Sequence, residues 1–345
     1  KGIDDILVNQ QKNKINSIAG WEKKKTDIKK RLQWVLGEEP PGVENPGPES
    51  LEKAGKGEDG FGSFISRPQP TPTMGLMPIS GYNGFGDYLY GNLYYPIDKE
   101  EKLKNKKIPV VIYLHEYNHS HGFSYPYSRN MPSLIQSVVD RGYAVFAYDM
   151  IGFGNRIKEG TRFYQRYPHW SKMGKMVTDA QAAIDALVNL DFIDKDNLYM
   201  AGYSLGATVG LITAALDERV TGVISVAGFT PMRLNTPDRG TEGIKAYSHL
   251  HGLLPRLGFF VGNEKRIPID FHEILSLIAP RPLLVIAPLH DKDAHILDIE
   301  LSMEQTGKIY NLYGDSDNIS LFSPDDYNRF SVKMREKMLE WLPEK

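Results

Sequence analysis

Five short, largely apolar runs recur along this chain, and most lead into a stretch with helical spacing. They read IPVVIYLH (108–115), YAVFAYD (143–149), NLYMAGYS (197–204), VTGVISVAG (220–228) and RPLLVIAP (281–288). A strand that is apolar at nearly every position, rather than at alternate ones, must be covered on both faces. Strands of that kind alternating with helices predict an α/β fold, a mostly parallel sheet with helical layers on both sides. DYLYGNLYYP (87–96) has strand composition ahead of the series, KIYNLYG (308–314) reads as a sixth buried strand, and YNRFSVKMREKMLEWL (327–342) as a closing helix. No internal repeat is visible.

Around this core the sequence suggests an arm and a cap. In the N-terminal stretch Trp21, Ile28, Leu32, Val35 and Leu36 fall at helical spacing ahead of Gly37, a helix stop signal. Two segments rich in Pro, Gly and Glu then read as irregular chain. Residues 1–86 are accordingly expected to be a helix and extended arm packed on a main domain of residues 87–345. Residues 229–275 separate the fourth and fifth buried strands and are expected to cap the carboxyl edge of the sheet.

Composition narrows the class of function. With 41% hydrophobic and 24% charged residues the chain is an ordinary globular protein, and a net charge of −2 points to neither nucleic acid nor an anionic membrane surface. The lysine-rich EKLKNKK (101–107) reads as a solvated loop. There is no cysteine, which excludes disulfides, thiolate metal sites and a cysteine nucleophile. No apolar run approaches the roughly 20 residues that cross a bilayer. The sequence opens on Lys1 rather than Met, in keeping with a removed signal peptide, so a periplasmic or secreted location is expected and a cytoplasmic one stays open. The oligomeric state is not legible.

The most informative residue is Ser204, which stands between Gly202 and Gly206 where the third buried strand gives way to the helix ATVGLITAAL. In parallel sheets of this kind ligands bind beyond the carboxyl ends of the strands. A reversal without spare residues forces strained backbone angles, and the glycines remove the Cβ atoms that would collide. The serine hydroxyl is thereby lifted above the sheet at the positive end of a helix, where developing negative charge is favoured. Chance alone yields roughly 0.2 G-x-S-x-G matches in a chain of this composition, so the strand before and the helix after carry the argument. A dinucleotide site fails, because GYSLGATVG lacks the G-x-G spacing and no acidic residue ends the next strand.

From about residue 87 onward the chain resembles the α/β-hydrolase superfamily, within it the acetyl-xylan-esterase and dienelactone-hydrolase-like branch. YLHEYNHSHG resembles the loop after the third strand that builds the oxyanion hole, YDMIGFGNR the D-x-x-G-x-G turn, GYSLGA the nucleophile elbow and RPLLVIAPLHD the strand delivering the triad acid. The resemblance implies Ser204 as nucleophile, and an oxyanion hole formed by the backbone of Leu205 with Glu116 or Tyr117. Glu116 stands where the family usually has glycine, and its carboxylate would oppose an oxyanion unless turned away or paired. Asp149 is implied to order loops rather than to do chemistry. Asp291 is the first choice for the triad acid, with Asp293 as substitute.

The base is the difficulty. The family places a histidine after the last strand, and here that segment, YGDSDNISLFSPDDYNRF, contains none. One reading moves the base to the loop after the fifth strand, with His295 preferred over His290 and Asp315 or Asp317 as orienting acid. Another takes it from the cap, His249 or His251, or from the oxyanion loop, His119 or His121. A third has it lost. His169 and His272 read as packing or surface residues. His115, His119 and His121 lack the helical carboxylate–histidine spacing of zinc proteases, and neither a metal nor a cofactor is called for. Arg156 and Arg162, among Phe163, Tyr164, Tyr167 and Trp170, are candidate contacts for acidic sugar substituents; structural ion pairs are the competing reading.

These readings converge on a serine carboxylic-ester hydrolase acting through an acyl-enzyme, with a small-molecule or polysaccharide ester, acetyl or methyl, as substrate. The alternatives are a binding protein that keeps the pocket without the base, and a peptidase of the prolyl-oligopeptidase kind, to which no propeller-like repeat lends support.

Overall fold

Every residue of the strands at Ile108–Leu114, Ala144–Tyr148, Gly222–Val226 and Leu283–Ile286 is buried, as their unbroken apolar composition requires. The computed structural model describes residues 3–41, 67–80, 89–97, 107–124, 133–235, 241 and 243–344. Its sheet has eight strands: β1 (Met74–Ser80), β2 (Tyr90–Pro96), β3 (Ile108–Leu114), β4 (Ala144–Tyr148), β5 (Ile193–Tyr203), β6 (Gly222–Val226), β7 (Leu283–Ile286) and β8 (Ile319–Phe322). They lie in the order β1-β2-β4-β3-β5-β6-β7-β8. The first two pairings are antiparallel and all the rest are parallel. This is the α/β-hydrolase fold.

Helices cover both faces. Alternate residues of β3 show why: Val110, Ile112 and Leu114 face one core cluster, Val111 and Tyr113 the other. The larger cluster is completed by α1 (Ile18–Leu36), α3 (Lys172–Val188), α4 (Leu205–Leu216), α5 (Phe271–Ile278) and α6 (Ile296–Tyr313). The smaller is completed by α2 (Leu134–Val139) and α7 (Val332–Trp341). Helix α1 starts at Ser17, whose hydroxyl accepts from the Gly20 N–H, and stops at Gly37 (φ 90°). It buries Trp21, Ile28, Leu32, Val35 and Leu36, the five residues picked out by spacing.

Three boundaries differ from the sequence reading, the closing helix among them: expected over 327–342, it spans Val332–Trp341. KIYNLYG is the last turn and a half of α6, and the final strand is the short ISLF that follows. Its tyrosines and isoleucine gave it strand composition, but Ile309 and Tyr310 bury together as neighbours on a helix packed against α5. Because β8 runs parallel to β7, Asp315 and Asp317 precede it and sit at the amino edge of the sheet, away from Ser204. The expected arm also holds part of the sheet, since β1 pairs along its length with β2. The Pro/Gly-rich stretch at 42–66 and the loop EKLKNKK, except Lys107, lie outside the described residues.

The close approach at the elbow is the constraint that positions the site. A Cβ on Gly202 would overlap the backbone of Gly206 and Ala207, and one on Gly206 would overlap the carbonyl oxygens of Leu114 and His115. Ser204 adopts φ 51°, ψ −119°, a conformation costing about 1–3 kcal/mol. It is held there by its N–H donating to Val226 O (2.8 Å) and by α4, buried from Leu205 to Ala215. We expect Gly206→Ala to lose about 3 kcal/mol in urea denaturation. Gly210→Ala, on the same helix with no atom nearer than 3.8 Å to the new methyl, should gain roughly 0.5–1 kcal/mol.

His115, at the end of β3, is fully buried; its Nδ1 donates to Glu116 O (2.6 Å) and its Nε2 accepts from the Met150 N–H (3.0 Å). Burial pulls its pKa down from 6.5 to about 4, and does the same to buried His272. Both rings are therefore neutral in the fold while the unfolded chain titrates normally. Their contribution is intact above pH 6.5 and is lost as pH falls toward 4, at about 3 kcal/mol for each ring as an upper value. Denaturation midpoints at pH 7.5 and 5 should show stability falling on acidification, with close to one proton taken up on unfolding at each ring.

Candidate active site

Ser204 opens onto a cavity of about 220 Å³ at the carboxyl edge of the sheet. The cavity lies beside the β3–β5 boundary, from which successive crossovers leave in opposite directions. Strand ends contribute Ser204, Leu205, Ala227, Asp291, Asp293 and Asn328. The loop after β3 contributes Tyr117, and the segment between β6 and α5 contributes Phe229, Thr230, Tyr247, His251 and Leu253. Although Ser204 occupies the N-cap position of α4, its side chain makes no capping hydrogen bond. The Leu205 N–H, first of the helix, has no acceptor within the helix and borders the same space.

Beyond β8 the chain turns through SPDDYNRF, and Asn328 lies where a base after the last strand would stand. Its Nδ2 donates to Asp291 Oδ2 (3.0 Å), and Tyr203, the residue before the serine, donates to its Oδ1 (3.0 Å). Asp291 also accepts from the Asp293 N–H at Oδ1 (2.9 Å), while burial raises its pKa above the usual carboxylate value. The expected acid thus reaches the cavity, but its partner is an amide that cannot take a proton.

His295, the first choice for the base, does not line the cavity. It is exposed at the N-cap of α6, turned outward by the helix that starts there. His290 is exposed and paired with Asp325 (2.7 Å). His249 is exposed and bonded to Ser248 (2.7 Å), and His119 and His121 lie outside the cavity lining. Of the nine histidines only His251 lines it.

His251 is delivered by an unusual turn. Residues Ala246–Leu250 form a single π-helical turn, and the His251 N–H closes it on Ala246 O (2.9 Å). Gly252 follows at φ 57°, and its carbonyl accepts from the Tyr164 hydroxyl. The Tyr117 ring packs between the His251 ring (centroids 4.7 Å apart) and that of Phe153 (4.9 Å). Burial lowers the His251 pKa below the ordinary imidazole value, with Asp293 pulling the other way.

Other expected site residues fall elsewhere. Glu116 does not line the cavity; burial raises the pKa of its carboxyl, with the Arg335 guanidinium pulling the other way. Arg156 is buried in an ion-paired cluster with Glu159 (2.7 Å) and Asp179 (2.9 Å), and Asp179 also pairs with Lys175. A guanidinium so placed would leave uncompensated buried carboxylates if it swung out to a sugar, so its role is structural. Arg162 is exposed in a left-handed turn (φ 57°) and does not border the cavity. Phe163 and Trp170 are core residues, not a sugar platform. Asp149 accepts from the N–H groups of Phe123 (3.2 Å) and Asn155 (2.8 Å) and pairs with Arg67, tying three loops together. A larger polar cleft of about 890 Å³ lies between α1 and Arg233, His272 and Glu273, but it contains none of the residues around Ser204.

Asn328 lay inside the segment searched for a histidine, but the sequence reading placed it at the start of the closing helix, and an amide carries no signal as a base. His251 had no local signature beyond being one of two cap histidines.

A profile described as "Glucuronyl esterase, fungi" matches residues 97–314. YtaP of Bacillus subtilis (strain 168), a protein whose name places it among hydrolases, is 25% identical over 189 residues, 51% of this chain and 59% of that protein. The chain thus spans less than two thirds of that curated relative. Among solved structures, a glucuronoyl esterase of carbohydrate esterase family 15 from Caldicellulosiruptor kristjansonii superposes with a TM-score of 0.70 at 17% identity, covering 99% of this chain and 89% of that one. The glucuronoyl esterase from Solibacter usitatus gives 0.70 at 15%, covering 99% and 97%. A methylesterase gives 0.58 at 16%, covering 94% and 64%. These likenesses establish the fold, and the profile, which spans well over half of the sequence, establishes kinship: the chain belongs to the glucuronyl esterase family.

Proposed function

We propose that this protein hydrolyses a carboxylic ester carried by a carbohydrate, with Ser204 as nucleophile. The observation that carries the reading is the strained elbow, which holds an uncapped serine hydroxyl at the start of a buried helix and open to a cavity containing an imidazole. Attack on the ester carbon forms the Oγ–C bond and pushes the carbonyl pair onto oxygen. The resulting oxyanion is met by the Leu205 N–H and by the N–H of Tyr117 on the facing loop, donors fixed before reaction so that no reorganisation is needed. Collapse expels the alcohol, and water then releases the acid from the acyl-enzyme.

The names of the relatives favour an ester in which the sugar supplies the carboxyl group, a glucuronoyl or methyl ester, over an acetylated hydroxyl. A cavity of about 220 Å³ is smaller than the ~300–1,000 Å³ typical of drug-sized ligands, which fits one sugar ring rather than a chain segment. Release from a cell-wall polysaccharide would require export, the location expected from the sequence.

The protein should turn over p-nitrophenyl acetate and the methyl ester of glucuronic acid, and a fluorophosphonate should label Ser204. Ser204→Ala should abolish labelling and lower kcat/KM by at least about 10³-fold with its thermal melt unchanged. A folded wild-type protein that neither turns over these esters nor takes the label would be a binding protein instead.

A further inference from the structure

We infer that the general base of this site has moved from the sheet to the cap: His251, on the π-turn between β6 and α5, takes the proton of Ser204, while Asn328 fills the old position of the base. The inference rests on the reading of Ser204 as nucleophile. Three observations carry it. Position 328, in the loop after the last strand, donates to Asp291 as a base would to its acid and accepts from Tyr203, but an amide is no proton acceptor at neutral pH. Among all nine histidines, His251 alone shares the cavity with Ser204. Its placement is also over-determined, by the bond closing the π-turn, the left-handed Gly252, the Tyr164 hydroxyl on the Gly252 carbonyl, and the flanking ring of Tyr117. A side chain merely filling space on a cap loop would not need a helix defect and a tyrosine clamp to aim it.

Asp293, on the same cavity wall, supplies the negative charge that stabilises the imidazolium. Asp291 is left as a structural carboxyl that holds Asn328. As Oγ bonds to the acyl carbon its proton passes to the His251 ring. The departing alkoxide takes that proton and leaves as the alcohol. Water next attacks the acyl-enzyme, giving one proton to His251 and its hydroxyl to the acyl carbon, and the proton returns to Oγ as the acid departs. The ring ends as it began, neutral.

With p-nitrophenyl acetate as probe, His251→Ala should lower kcat/KM by about 10²–10⁴-fold with the circular-dichroism melt unchanged. His295→Ala should stay within about threefold of wild type. Asn328→His added to His251→Ala should recover at least about tenfold, because an imidazole there inherits Asp291. Turnover by His251→Ala within threefold of wild type overturns the inference; if Ser204→Ala is still dead, the ester-hydrolase reading survives with another proton acceptor. Should alanine at 251 lower the melt, the double variant decides: recovery supports the relocated base, and its absence overturns it. A wild-type protein with neither turnover nor fluorophosphonate label brings down both readings.

Discussion

The site depends on how little room there is between the end of β3 and the start of α4. With no Cβ at Gly202 or Gly206, the first turn of α4 sits directly on the carbonyl oxygens of Leu114 and His115. That contact forces the chain to reverse within one residue, and Ser204 absorbs the reversal at φ 51°. The strain persists because α4 is buried along its whole length and cannot relax outward without opening the core. The same contact brings the loop after β3 alongside the first N–H of the helix. Ser204 and the N–H groups proposed to meet the oxyanion are thus set by one packing event rather than by separate ones.

Around this fixed point the loops are wired with buried polar groups whose ionisation the fold controls. His115 is kept neutral and spends both ring nitrogens on backbone, joining the oxyanion loop to the residue that follows Asp149. Asp149 in turn gathers the N–H groups of the two neighbouring loops, and Gly122 and Gly154 come so close to its carboxylate that neither tolerates a side chain. Arg156, Lys175 and Asp179 form a further closed set beneath the turn. Residues that look reactive in the sequence are here consumed in holding the reactive ones still.

What could be read from the sequence follows from the range of the interactions involved. The buried strands, the helices of α1 and α3, and the elbow at Ser204 are encoded within a few residues of themselves, by periodicity, caps and glycine spacing. The last strand was not, because ISLF is four residues long and only partly buried, while the aromatic end of α6 mimics a strand. Asn328 was missed separately, because the closing helix was drawn from residue 327 and the search was for a histidine. His251 comes to share a cavity with Ser204 only through the tertiary path of the segment between β6 and α5, and nothing in YSHLHG states which way either imidazole faces. For Arg156 the sequence left sugar contact and structural ion pairing both open; Glu159 lies three residues on, but the second partner that decides its role, Asp179, comes from helix α3.

Arg67 reaches the core from the far side of the Pro/Gly-rich stretch. Its guanidinium pairs with Asp149, donates to His121 O (3.1 Å) and Ser124 Oγ (3.1 Å), and lies over the Phe123 ring at 4.1 Å. The loops after β3 and β4 are therefore braced by a residue that precedes every recognisable hydrolase motif. A gene fragment trimmed to the motif-bearing portion would keep the elbow at Ser204 and yet lose the strut that ties these loops together.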